Sequence, residues 1–125
     1  MAAEGYHEPY EQLTPKTRDL HRALRSLMEE LEAVDWYQQR VDVCHDDDLR
    51  AILAHNRDEE KEHAAMVLEW IRRQDSVFNE QLKKYLFTEA SIVRREENTK
   101  TEGGGDTPQP PSIGSLRRTR AEGSK

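Results

Sequence analysis

Glu60 and His63 stand three residues apart in the stretch Asn56–Trp70, NRDEEKEHAAMVLEW. On a helix that spacing projects a carboxylate and an imidazole from one face. The face is expected to be apolar and buried, and a buried carboxylate beside a histidine needs a partner, for which a metal ion is one candidate. The pair alone says little. With 16 glutamates and five histidines in the chain, chance supplies roughly 0.6 such pairs. Register adds more. Glu60 and His63 fall on consecutive positions of the heptad line Leu49, Leu53, Asn56, Glu60, His63, Val67, Trp70, and Glu30 falls between Leu27 and Val34 on a matching line upstream. Burying an ionised carboxylate costs several kcal/mol unless it is paired or shifts its pKa. A hydrogen-bonded polar core that includes Asn56 would meet that cost. So would a metal, and carboxylate oxygen with imidazole nitrogen suits iron, manganese or zinc.

The elements that must position these groups are helices. Thr14-Pro15 reads as a capping hydroxyl followed by proline at the first helical position. From there no glycine or proline occurs to beyond Val41. Apolar residues recur at Leu13, Leu20, Ala23, Leu27, Val34, Tyr37 and Val41, and a second line, Leu20, Leu24, Leu27, Leu31, with Met28 beside it, widens the stripe enough to face two neighbours. The polar run 42–48 predicts a short connection and an antiparallel hairpin, its closing acids suiting the start of the next helix. The second helix is expected from about Asp47 to Gln74. Asp75-Ser76 reads as a stop and a new cap. A shorter amphipathic piece with Val77, Phe78, Leu82, Leu86 and Phe87 follows, and residues 91–98 suggest a further turn or two. Three regions result: a flexible arm over 1–13, a helical hairpin with a short third helix over 14–100, and a disordered tail over 101–125.

The ligand count bears on assembly. A di-iron carboxylate site in a four-helix bundle takes one Glu from each of two helices and Glu-x-x-His from each of the other two. This chain carries one helix of each kind, hence half a site, and a two-fold dimer would supply the rest. The predicted fold is therefore all-α, a hairpin dimerising into a ferritin-like four-helix bundle.

Composition narrows the function classes. The chain is 34% hydrophobic and 35% charged, with net charge −6 and mean hydropathy −1.02. Over residues 1–100 there are 22 acids against 15 bases, a poor nucleic-acid binder and a plausible attractor of cations. Cys44 is the one cysteine, so no internal disulfide forms and a reducing compartment fits. No apolar run approaches the ~20 residues of a membrane span. The opening MAAEGYHEPYEQ lacks a signal peptide's basic start and apolar middle. A cytoplasmic protein is expected.

Two stretches, LMEELEAVDWYQQRVD and ILAHNRDEEKEHAAMVLEW, resemble the two core helices of the encapsulated ferritins, ferroxidases packaged inside encapsulin compartments. The resemblance covers roughly residues 14–100. It implies oxidation of Fe(II) to Fe(III) at a di-iron centre across a dimer interface, with Glu30, Glu60 and His63 at ligand positions and Tyr37 as an aromatic beside them. It places Glu29, Glu32 and Trp36 at a metal entry site, and allows calcium, zinc or manganese at the same or entry sites. It also implies dimers joined into an open ring, expected to be a decamer. In the tail, SIGSLRR is similar to an encapsulin-targeting peptide, which makes Ser112–Arg118 the expected contact with the shell protein and puts the chain inside an encapsulin nanocompartment. On their own residue types, Glu29 and Glu32 read as surface charge, and Trp36 and Tyr37 as interface packing. His21 and His55 fall off the core lines, and Cys44 with His45 is too little for a metal site. Ile113 and Leu116, three residues apart on a tether, suit a small apolar groove, and many copies on one oligomer would gain by avidity. A peroxide-scavenging di-iron or di-manganese protein and a non-catalytic cargo adaptor are the alternatives.

Overall fold

The computed structural model describes residues 5–96. The described residues are all-helical: a 3₁₀ turn at Tyr10–Gln12, then α1 (Pro15–Val43), α2 (Asp47–Gln74) and α3 (Ser76–Tyr85), with a helical turn at 92–96. Each long helix starts where its chemistry dictates. The Thr14 hydroxyl accepts from the Thr17 amide at 3.1 Å with Pro15 behind it. The Asp46 carboxylate accepts from the Leu49 amide at 2.8 Å, and Asp75 does the same for Phe78 at 2.8 Å. Such caps are each worth ~1 kcal/mol. Asp47 and Asp48 open α2 while Arg72 and Arg73 close it, both favourable to the helix dipole.

Helices α1 and α2 pack against each other as an antiparallel hairpin, joined through Cys44–Asp46. Its inner line on α1 is the expected one: Leu20, Ala23, Leu27, Glu30, Val34, Tyr37 and Val41 are all partly buried. On α2 the inner line differs from the heptad reading. Leu53, Arg57, Glu60, Ala64, Val67 and Ile71 turn inward, and Ala64 and Ile71 are its fully buried members. Leu49, Ile52, His63 and Trp70 are exposed instead. The reason is that α2 is apolar on more than one side, and a single hairpin covers one of them. Arg57 is tolerated on the inner line because it donates to Gln38 Oε1 of α1 at 2.9 Å, while the Gln38 amide donates to Asp42 at 2.9 Å.

Much apolar surface stays uncovered in one chain. Leu24, Met28 and Leu31 on α1, and Ile52, Met66 and Trp70 on α2, are all exposed. Part of the segment expected to be a loose arm lies against α1. Tyr6 stacks on the His21 ring at 4.0 Å, and the Arg18 guanidinium sits 4.0 Å over the Tyr10 ring while donating to the Tyr10 carbonyl at 2.8 Å. Gly5 permits that approach: its φ is +86°, and a Cβ there would lie 3.1 Å from His21 Cε1. The chain divides into two compact units between Asn79 and Glu80. In the second, Arg95 donates to the Lys84 carbonyl at 2.9 Å and Thr88 to that of Tyr85 at 2.9 Å, closing the end of α3. No helix among the described residues is long and apolar enough to cross a membrane. The tail and its Ser112–Arg118 peptide lie outside the described residues.

Candidate metal centre

Glu30 sits midway along α1, and Glu60 and His63 sit midway along α2, so the antiparallel hairpin brings the three to one level. One ligand atom from each lies within 4.8 Å of the others. His63 Nδ1 is 3.2 Å from Glu60 Oε1 and 3.7 Å from Glu30 Oε1. The carboxylate side chains are mostly buried, at 26% exposed for Glu30 and 23% for Glu60, whereas His63 is 47% exposed. The imidazole therefore stands at the rim of the hairpin, on the uncovered side of α2 that also carries Met66. In the single chain, the face expected to be buried is open at His63.

The three side chains perturb one another's titration. Hydrogen bonding to Glu60, then burial, pushes the Glu30 carboxyl above its usual range, and the neighbouring Glu60 charge adds to the effect. Glu60 moves the other way, lowered chiefly by that hydrogen bond from Glu30 and then by His63. His63 is raised, first by its bond to Glu60 and then by the charge of both carboxylates. Two carboxylates here share one imidazole, with no Lys or Arg ion-paired to either among the described residues. A divalent metal would supply a cation, and the donor set of two oxygens and one nitrogen fits that purpose.

The other expected site residues are spread along α1. Tyr37 is half-buried, two turns beyond Glu30 on the inner line, with the Arg40 guanidinium 5.1 Å from its ring centre. Glu29, Glu32 and Trp36 are exposed. Among the described residues, Glu30, Glu60 and His63 form the one group of three metal-ligating side chains, and the entry residues lie outside it. His55 pairs with Glu59 at 3.3 Å, and His21 is held by Tyr6. Sequence reasoning missed Arg57, whose inward position only the hairpin's pairing reveals.

The chain matches the EncFtn-like family over residues 5–89. It belongs to that family, the encapsulated ferritins. It is 61% identical over 106 residues to an "Encapsulated ferritin-like protein" of Rhodospirillum rubrum, covering 84% of this chain and 76% of that one. A Myxococcus xanthus "Encapsulin nanocompartment cargo protein EncC" is 34% identical over 125 residues, covering 88% of this chain and 96% of the relative. A crystal structure of a Nitrosomonas europaea protein superposes with a TM-score of 0.70 at 64% identity, covering 72% of this chain and 99% of that one.

Proposed function

We propose that this encapsulated ferritin oxidises Fe(II) to Fe(III) at a di-iron centre completed by two copies of the chain. The observation that carries the reading is the convergence of Glu30, Glu60 and His63 beside an uncovered apolar side of α2. Two copies facing each other there would supply four carboxylates and two imidazoles. Four negative charges balance two Fe(II) ions. Two Fe(III) ions exceed that balance by two charges, which favours uptake of hydroxide and departure of the product. Each Fe(II) gives one electron, and O₂ or peroxide accepts them. Glu30, Glu60 and His63 would hold the iron, with at least one carboxylate shared between the two ions, and Tyr37 would stand beside the centre. Glu29, Glu32 and Trp36 serve as the entry side, where calcium, zinc or manganese could compete.

A two-helix hairpin encloses no store, so oxidation and storage are separate tasks. The name of the Myxococcus relative supports cargo in an encapsulin shell, with Ser112–Arg118 as the docking peptide, a ring of dimers (a decamer) presenting many copies, and a cytoplasmic compartment as the location. The test is Fe(II) oxidation by wild type, Glu60→Ala and His63→Ala. Equal rates in all three would remove the centre and leave a cargo adaptor. Net peroxide turnover with little retained ferric product would favour a scavenger. Deleting Ser112–Lys125 is expected to abolish packaging and spare oxidation in free solution.

A further inference from the structure

The open end of the hairpin carries a second polar site. A cleft of about 410 Å³ is lined there by Lys16, Arg72, Arg73, Gln74, Ser76 and Asn79. Three of these residues are cations, three are neutral hydrogen-bonding groups, and none is a carboxylate. On a chain of net charge −6, such a wall is a local reversal of sign. The acids nearby in sequence are already engaged. Glu69 accepts from Arg72 at 2.8 and 2.7 Å and from Arg73 Nε at 2.6 Å, and Asp75 caps α3. Arg72 is further fixed by its bond to Asn79 at 2.6 Å. The Arg73 bond uses Nε and leaves its terminal nitrogens available. Lys16 has no hydrogen bond or ion pair among the described residues.

One helix pole reinforces the charge. Lys16 stands in the first turn of α1, which carries no acid and is capped by the neutral Thr14, whereas the α3 pole beside Ser76 is met by its own cap, Asp75. Helix α2 likewise opens with acids, Asp47 and Asp48. We propose that this cleft binds a phosphate-type oxyanion, with Lys16 and the terminal nitrogens of Arg73 as charged donors, Ser76 as a hydroxyl donor and Arg72 as a fixed countercharge. Three cations less the Glu69 carboxylate leave two positive charges, which match a doubly charged tetrahedral anion better than a single carboxylate. The site is distinct from the metal centre: His63 and Arg72 are nine residues apart on α2, ~14 Å along the axis at 1.5 Å per residue.

Titration calorimetry of the iron-free full-length protein tests this, with inorganic phosphate in one arm and adenosine monophosphate in the other. Wild type is expected to bind in at least one arm, with free phosphate favoured if the ligand is the bare anion and the nucleotide favoured if it is a phosphomonoester. Lys16→Gln and Arg73→Gln should each weaken binding about tenfold through loss of one charge-assisted contact. Lys83→Gln, which removes the same charge outside the cleft, should leave binding intact. Circular dichroism confirms that each variant is folded, and Ser76→Ala, which changes no charge, should weaken binding by less. No binding by wild type in either arm, undiminished binding in the two cleft variants, or an equal loss in Lys83→Gln would overturn the assignment. Because the titration uses no iron, its outcome is separate from that of the oxidation assay.

Discussion

Glu60 and Glu69 lie nine residues apart on the same helix, both partly buried, and meet opposite company. Three and four residues after Glu69 stand Arg72 and Arg73, which take both of its oxygens and hold its carboxyl down to about 2. Three and four residues after Glu60 stand His63 and Ala64, and the residue facing it from α1 is a second carboxylate, Glu30. The same helical spacing thus completes an ion pair at one place and leaves it open at the other. A carboxylate placed on an inner face needs a partner, and Glu60 has only an imidazole at 3.2 Å where Glu69 has two guanidiniums. That contrast separates a structural clasp from a candidate metal centre.

The comparison can be broken most sharply at Glu60. Glu60→Ala and His63→Ala are each expected to lower the Fe(II) oxidation rate at least about a hundredfold, since loss of even an outer-shell partner of a metal ligand costs 10–100-fold. His63→Arg would turn the centre into a copy of the clasp, with a guanidinium three residues after Glu60. It should fold, lose oxidation, and show no rise in unfolding temperature with added Mn(II), whereas wild type should gain. Stabilisation of wild type by ~2.7 kcal/mol is expected at a hundred times the dissociation constant. Oxidation at the wild-type rate by His63→Arg would sink the comparison.

The packing that holds the two regions in line is the next target. Ile71 is the one large side chain among the described residues with no exposure, and it lies at the level of the clasp, between Glu69 and Arg72 in the chain. Ile71→Ala should cost ~2–5 kcal/mol through lost burial and the cavity left behind, read as a fall in unfolding temperature. Met66→Ala, at an exposed position, should cost far less in the monomer and show its effect in self-association.

Helix limits and caps were legible in the amino-acid sequence because they depend on neighbours a few residues apart: Thr14-Pro15, Asp46 and Asp75 act locally. Glu30, Glu60 and His63 were legible because polar residues on apolar lines are conspicuous. The register of α2 was not. Its heptad line, with Ile52 and Ile71 alongside, and its true inner line share Leu53, Glu60, Val67 and Ile71 but differ at Arg57 and Ala64, because periodicity counts apolar sides without saying which neighbour each one meets. Nothing in the local sequence marks Arg57 as inward-facing; its partner there is Gln38 of the other helix. The cleft of Lys16, Arg72 and Arg73 joins residues more than fifty positions apart, and no local pattern announces it.

The smallest effect is also the most discriminating, because one substitution type should act with opposite sign in the two regions. Glu30→Gln removes a like charge beside Glu60, so the metal-free protein should unfold at a slightly higher temperature near neutral pH while oxidation falls. Glu69→Gln removes the partner of two arginines, so unfolding temperature should drop slightly while oxidation persists. The second change carries a pH signature. A carboxyl held at about 2 against an ordinary value of 4.5 adds stability that is fully present above ~4.5 and is lost as pH falls toward 2. The gap between wild type and Glu69→Gln should therefore be constant from pH 7 to about 5, shrink below that, and close near pH 2. Because Glu69 is partly exposed, 41% by side chain, solvent and salt screen the clasp, and the gap should also narrow at high ionic strength. A gap that stays the same down to pH 2 would mean that Glu69 stabilises the helix end by packing and not by charge. The two glutamates would then differ in their neighbours without differing in their electrostatics.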